Sequence, residues 1–246
     1  MKKMIPVPRR IRFLVSEAVF SVLVLSGLSA HPQGASILQK SRDAYAQMKS
    51  YADTGVVLVE YGTSSEDKHS FSTAFNRSPR HFLLEFNKQG GDRYVIWADP
   101  DAFHTWWKTT GQKTDYPNPN NTPALNLSGP PTAEISMKIP TLLYGKALEA
   151  KMLKIADPVL AGVEEVSGHS CHQINGRASD VYAASGKEVN KRKVTVWIDR
   201  DSFLIRKMLE EFEALPGQRS RVTATFEPQL NPALDEAAFK FSPPAP

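Results

Sequence analysis

Hydrophobic and polar positions change their period along the chain, and each change predicts an element. From Ala35 to Tyr51, Ile37, Leu38, Ala44, Tyr45 and Met48 recur at helical spacing against Lys40, Arg42, Asp43, Gln47 and Lys49, which predicts one amphipathic helix. Strand-like segments follow. Thr54–Tyr61 is β-branched and apolar, Ser70–Asn76 places Phe71, Thr73 and Phe75 on one face, and His81–Asn87 does the same with Phe82, Leu84 and Phe86. Arg93–Ala98 and Ala102–Lys108 are rich in aromatic residues. Turn residues at Gly62–Asp67, Ser78-Pro79, Gly90-Gly91 and Asp99-Pro100-Asp101 separate them, so the pattern predicts an antiparallel meander.

The middle of the chain breaks this rhythm. Thr114–Pro131 is filled with Pro, Asn and Ser and reads as an irregular loop, after which Pro140 can start a helix with Leu142, Leu143, Ala147, Leu148 and Met152 on one face. Strands return at Gly162–Val166, Ser170–Ile174, Lys193–Asp199, Phe203–Phe212 and Arg221–Phe226, with turns at Asp199–Ser202 and Leu215–Gln218. No fixed internal repeat and no domain linker interrupts the chain. The pattern predicts an α+β protein, mainly antiparallel β, in one domain over residues 34–244.

The N-terminus changes the picture of charge. Lys2, Lys3, Arg9, Arg10 and Arg12 precede an apolar run from Phe13 to Leu28 and the small residues Ser26, Gly27, Ser29 and Ala30, the order of a cleaved secretory signal peptide over residues 1–30. Its clean apolar part is short of the roughly 20 residues a bilayer span needs. The whole chain carries 30 Lys and Arg against 26 Asp and Glu. Five of the basic residues and one acidic residue lie in the first 30, so the remainder is balanced at 25 and 25. A neutral mature chain gives nucleic acid no electrostatic handle. The local cluster Lys187, Lys191, Arg192 and Lys193 reads as a solvated hairpin tip. Cys171 is the sole cysteine. It precludes an intramolecular disulfide and lies far from the signal peptide, so the expected mature protein is soluble, periplasmic and not itself acylated.

Candidate chemistry is sparse. His169, Cys171 and His172 form the densest group of potential ligands and nucleophiles, but on a strand His172 faces away from the other two. No nucleophile elbow, phosphate loop, metalloprotease helix or dinucleotide fingerprint is present. Glu164, Glu165, Glu210, Glu211 and Glu213 follow strand alternation and read as solvated faces. The chain is therefore expected to have no catalytic residue, metal or cofactor. Aromatic residues stand out instead: Phe71, Phe75, Phe82, Phe86, Tyr94, Trp97, Trp106 and Trp107, with Leu84, either pack a core or line a cavity.

Three segments carry a resemblance. These are Phe75–Glu85, with Arg77 and Pro79; Val194–Arg206, with Trp197-Ile198-Asp199; and Asn231–Asp235 leading to Phe239-Lys240-Phe241-Ser242-Pro243-Pro244. With the order of elements, they resemble the LolA-like superfamily of periplasmic lipoprotein carriers in outer-membrane lipoprotein sorting. The resemblance implies an incomplete, half-open β-barrel with helices over its mouth, and transport of lipid or lipoprotein acyl chains in an apolar cavity lined by the nine residues just named. It implies a monomer that exchanges cargo with membrane-bound donor and acceptor proteins. Arg77 matches the family's lid-holding arginine, with Arg80, next to the proline, competing for that role. The alternative is a periplasmic sensing or binding module that recognises a protein partner, of the envelope-stress regulator type.

Overall fold

The computed structural model describes residues 30–62, 65–117, 134–144, 154–182, 187–215 and 217–244. The expected signal peptide lies outside them. Helix α1 (Ala30–Gln47) is followed by β1 (Ser50–Tyr61), β2 (Ser65–Arg77), β3 (Arg80–Asn87), β4 (Arg93–Ala98), β5 (Ala102–Trp107) and β6 (Gln112–Pro117). A 3-10 turn (Ile135–Met137) leads into α2 (Lys138–Leu143), and the chain continues through β7 (Ala156–Val166), β8 (His169–Tyr182), β9 (Lys187–Asp199), β10 (Ile205–Leu215), β11 (Gln218–Phe226) and β12 (Gln229–Leu230).

The strands form one antiparallel sheet in the order β6-β5-β4-β3-β2-β1-β11-β10-β9-β8-β7, with β12 beside β1. The first six strands step outward as a meander from β1. Strands β7 to β11 step back inward, so that β11 meets β1 in the middle of the sheet. Strands β6 and β7 end the sheet and do not pair with each other among the described residues, so the sheet stays open.

Strand alternation gives the sheet one apolar face. Val57 and Val59 of β1, Phe71 and Phe75 of β2, Phe82, Leu84 and Phe86 of β3, Val194 and Val196 of β9, Met208 of β10 and Ala224 of β11 are all buried in one cluster. Tyr116 of β6 and Leu160 of β7 pack on that same cluster. Because opposite ends of the sheet share one core, the sheet must curve around it. The cluster also takes Ile37, Leu38 and Tyr45 from α1, Met48 just after it, and Ile139, Leu142 and Leu143 from α2, so both helices lie on the concave side. Each such side chain contributes about 1.5–3 kcal/mol of apolar burial.

Two glycines permit this packing. A Cβ on Gly34 would stand 2.5 Å from the carbonyl oxygen of Pro158, so α1 approaches β7 at a distance only glycine allows. A Cβ on Gly55 would meet both the Phe71 ring and the Thr225 carbonyl oxygen at 2.2 Å. The Phe71 ring covers the backbone of β1 there and meets Phe226 edge-on, with centroids 5.4 Å apart.

Several boundaries differ from the sequence expectation. Helix α1 runs from Ala30 to Gln47 rather than from Ala35 to Tyr51, because Tyr51 already alternates with Asp53 as the start of β1. Thr114–Pro117 belongs to β6 rather than to a loop, held by pairing with Ala102–Thr105. Helix α2 starts at Lys138, two residues before Pro140, which a first-turn proline permits because its missing N–H would have no partner there. The expected helical positions Ala147, Leu148 and Met152 lie outside the described residues.

Candidate functional site

The concave face is occupied by the chain itself. Every residue from Ile135 to Leu143 is buried, although the segment pairs with no strand. Ile135, Met137, Ile139, Leu142 and Leu143 supply its apolar contacts to the sheet's core. Tyr144 follows and sits edge-on to Phe75 and Phe82, with ring centroids 5.4 and 5.9 Å away. The Arg80 guanidinium lies over the Tyr144 ring at 5.6 Å.

Polar contacts hold both ends of this assembly. At one end, Arg77 of β2 donates from Nε to the carbonyl oxygen of Met48 at 2.6 Å and from Nη2 to that of Tyr45 at 3.2 Å. These carbonyls lie at the C-terminal end of α1, where helix oxygens have no partner within the helix and a cation is favoured. The Arg77 guanidinium also covers Phe75 at 5.2 Å. Partial burial and the neighbouring Arg80 lower its pKa.

At the other end, the Lys138 ammonium is buried 3.0 Å from Glu134 and 3.5 Å from Glu210 of β10. Glu210 in turn faces Arg192 of β9 at 3.3 Å, and Arg192 donates from both terminal nitrogens to Asp180 of β8. The start of α2 is thus tied to three strands by alternating charges. From sequence, Glu210 is expected on a solvated strand face and Arg192 at a solvated hairpin tip. The structure corrects this: Glu210 is 8% exposed, and the Arg192 side chain 11%. A charge on a strand reads as exposed unless its partner is known, and these partners come from other strands.

Beneath α1 lies a second polar group that the sequence did not reveal. Tyr51 donates to Asp53 Oδ2 at 2.6 Å, and the Tyr45 hydroxyl accepts from the Ile205 amide at 3.0 Å. The Tyr45 and Tyr51 rings meet edge-on at 5.7 Å. Burial raises the Asp53 carboxyl to about 6 against the lowering effect of the Tyr51 hydroxyl, and raises both tyrosines. The only visible sign was one aspartate in register with the apolar positions of β1.

The nine apolar residues singled out from sequence fall into two groups. Phe71, Phe75, Phe82, Leu84, Phe86 and Tyr94 come together in the concave cluster, and Trp107 packs against its edge, donating from Nε1 to Asp92 at 2.6 Å. Trp97 and Trp106 lie on the opposite, convex face with Val95. There Phe241 packs on both indoles at 5.0 and 5.4 Å. The division follows from parity, since Ile96 and Ala98 take the concave side of β4 and leave Trp97 the other.

The remaining motifs organise turns. Asp199 accepts from the amides of Asp201 and Ser202 and pairs with Arg206 at 3.2 Å, which explains Trp-Ile-Asp followed by arginine as a hairpin signature. Asp235 caps the turn leading to buried Phe239. Asn231 accepts from the amides of Lys49 and Ser50, fastening the exit of α1. Cys171 is fully buried with Val166 and Trp197, and burial, then Asp199, pushes its thiol up to about 11. His169 stands 3.0 Å from Asp199, while His172 lies on the other side of the strand. No group of three or more potential metal ligands occurs among the described residues.

The family model described as "Predicted periplasmic protein (DUF2092)" matches residues 35–246. A comparison with curated proteins finds no match. Among solved structures, the chain is similar to the Mycobacterium tuberculosis lipoprotein LppX at 13% identity, covering 83% of this chain and 98% of that one with a TM-score of 0.46. It is similar to LprF from Mycobacterium bovis at 13% identity, covering 84% and 96% with a TM-score of 0.48. A LolA superfamily protein from Nitrosomonas europaea is similar at 12% identity, covering 85% and 97% with a TM-score of 0.35.

Proposed function

We propose, for a chain that belongs to the family of predicted periplasmic proteins DUF2092, a carrier function in which the concave face takes up the acyl chain of a lipid or lipoprotein. In this reading the open sheet is an incomplete β-barrel, and α1 with the segment Ile135–Tyr144 is its lid. The signal peptide is cleaved, and the soluble mature protein moves cargo between membrane-bound donor and acceptor proteins in lipoprotein sorting.

The observation that carries the reading is the self-occupied interior. A segment that pairs with no strand buries nine successive residues against an apolar concave face, so it holds the place an acyl chain would take. The energies are of matching size. Its five large apolar side chains are worth roughly 8–15 kcal/mol of burial at about 1.5–3 kcal/mol each. A sixteen-carbon chain gains about 12 kcal/mol at about 0.8 kcal/mol per methylene. Exchange of one for the other is near balance, and a carrier needs that balance because it must release what it binds. The reading assigns no chemistry to Cys171, whose raised pKa keeps it a thiol.

The test is native mass spectrometry of protein expressed with its own signal peptide and extracted gently from the envelope. Copurifying mass equal to lipid or acylated peptide supports the carrier. Protein that is always empty and fails to bind a fluorescent fatty acid refutes it.

A further inference from the structure

His69 is the polar member of an otherwise apolar row on the concave face. Reading across the sheet from β2, the row runs His69, Val57, Ala224, Met208, Val196 and Ile174. The five that follow His69 are fully buried in the core cluster. Strand parity puts His69 on the same side as Phe71 and Phe75. It is 3% exposed, and its ring lies against Phe86 of β3 with centroids 5.3 Å apart.

The hydrogen bonds of the ring fix which nitrogen carries the proton. Nδ1 accepts from the backbone amide of Gln89 at 3.0 Å, and a nitrogen that accepts there is not itself protonated. The proton of the neutral ring is therefore on Nε2. Burial, against the opposing charge of Asp67, lowers the pKa of the imidazole and favours that neutral form. Gln89 is held in turn, its side-chain oxygen accepting from the Lys68 amide at 2.7 Å, so the ring is fixed in direction. Nε2 is buried and has no hydrogen-bond partner among the described residues. The hydroxyls of Ser41 and Ser220 are also buried without a partner, but a hydroxyl hydrogen rotates toward any acceptor within reach. The Nε2–H of His69 points one way, and a buried donor without an acceptor is costly.

We propose that the Nε2–H of His69 donates to the carbonyl oxygen of a bound acyl group, ester or amide, and so fixes the head end of the chain on the sheet. This rests on the carrier reading and adds the contact that tells an acyl chain from other apolar matter. The turn Ile135–Met137 lies against β1 and β11, whose Val57 and Ala224 follow His69 in its row, so cargo that displaces the segment clears the space beside the imidazole. An acyl carbonyl is an acceptor without charge, and an apolar row takes it at far lower desolvation cost than a carboxylate or phosphate. An alkyl ether of equal length lacks that oxygen and leaves the donor unpaired.

The experiment measures affinity of the mature protein for three ligands of equal chain length and phosphocholine head, below their micelle concentrations: an acyl lysophosphatidylcholine, its amide analogue and its alkyl ether. We expect the tighter of ester and amide to bind about fivefold or more above the ether, and His69→Phe to bring this preference within about twofold while ether affinity is unchanged. A tighter ester assigns the contact to lipid, and a tighter amide to N-acylated peptide. Imidazole NMR of the wild-type protein gives a readout that needs no variant: the Nε2–H resonance of His69 should move downfield with the carbonyl ligands and not with the ether. Equal wild-type affinity for all three, a preference that survives in His69→Phe, or a resonance that ester, amide and ether move alike overturns the His69 contact and leaves the carrier reading standing. Binding of none of the three overturns both.

Discussion

The Nε of Arg77 donates to the carbonyl oxygen of Met48 at 2.6 Å, joining β2 to the exit of α1 across 29 positions of sequence. Together with the bond to Tyr45 it gives the helix a cationic cap from outside. Arg77→Ala should cost about 2 kcal/mol, because hydrogen bonds from a charged donor contribute about 1.5–3 kcal/mol each when buried and these are partly exposed. Thermal unfolding should fall by roughly 4–8 °C. Amide exchange at the end of α1 should rise more than elsewhere. Arg80→Ala, which leaves both bonds intact, should have the smaller effect on α1, and the reverse order would show that Arg80 holds α1 more than Arg77 does.

Asp53 makes stability depend on pH. Burial raises its carboxyl to about 6, above its unfolded value, so the folded state holds the proton more tightly. The stability this contributes is full below about pH 4 and is lost as pH rises through about 6. A gap of about two units corresponds to about 3 kcal/mol. Urea unfolding at intervals from pH 4 to 7 should show this loss in the wild-type protein. In Asp53→Asn, which can still accept from Tyr51, the loss should be absent and stability at pH 7 higher.

Lys138 and Glu210 tie the segment to the sheet. Lys138→Met should destabilise by about 1–3 kcal/mol, less than the 3–5 kcal/mol of a fully abandoned buried charge, because Glu210 keeps Arg192. Adding Glu210→Gln should cost less than its effect alone, as measured by a double-mutant cycle in chemical denaturation. Additive losses would show that the two do not interact.

Cys171 reports on opening of the convex face. Its thiol is fully buried and raised to about 11, so iodoacetamide at pH 8 should modify the folded protein orders of magnitude more slowly than the unfolded one. Rapid modification of the native state would contradict the inert assignment.

Where local pattern and final environment coincide, the fold was legible. Phe71, Phe75, Phe82 and Phe86 alternate cleanly and share a core. In β4 and β5 the aromatic residues occupy both faces, so their clustering hid the parity that sends Trp97 and Trp106 to Phe241. Strand β6 escaped notice because Asp115 and Pro117 weaken its propensity and pairing with β5 overrides it. The buried Lys138, Glu210 and Arg192 were invisible for a different reason. Each is a common surface residue, and their burial depends on contacts between the middle of the chain and strands far away in sequence.

The central claim, that an acyl chain replaces the Ile135–Tyr144 segment, is tested most directly by hydrogen-exchange mass spectrometry of the mature protein with and without a saturating acylated peptide. The account predicts that exchange protection in Ile135–Tyr144 falls on loading while the strands β2, β3, β9 and β10 stay protected. Saturating binding that leaves the segment as protected as in the empty protein would contradict it.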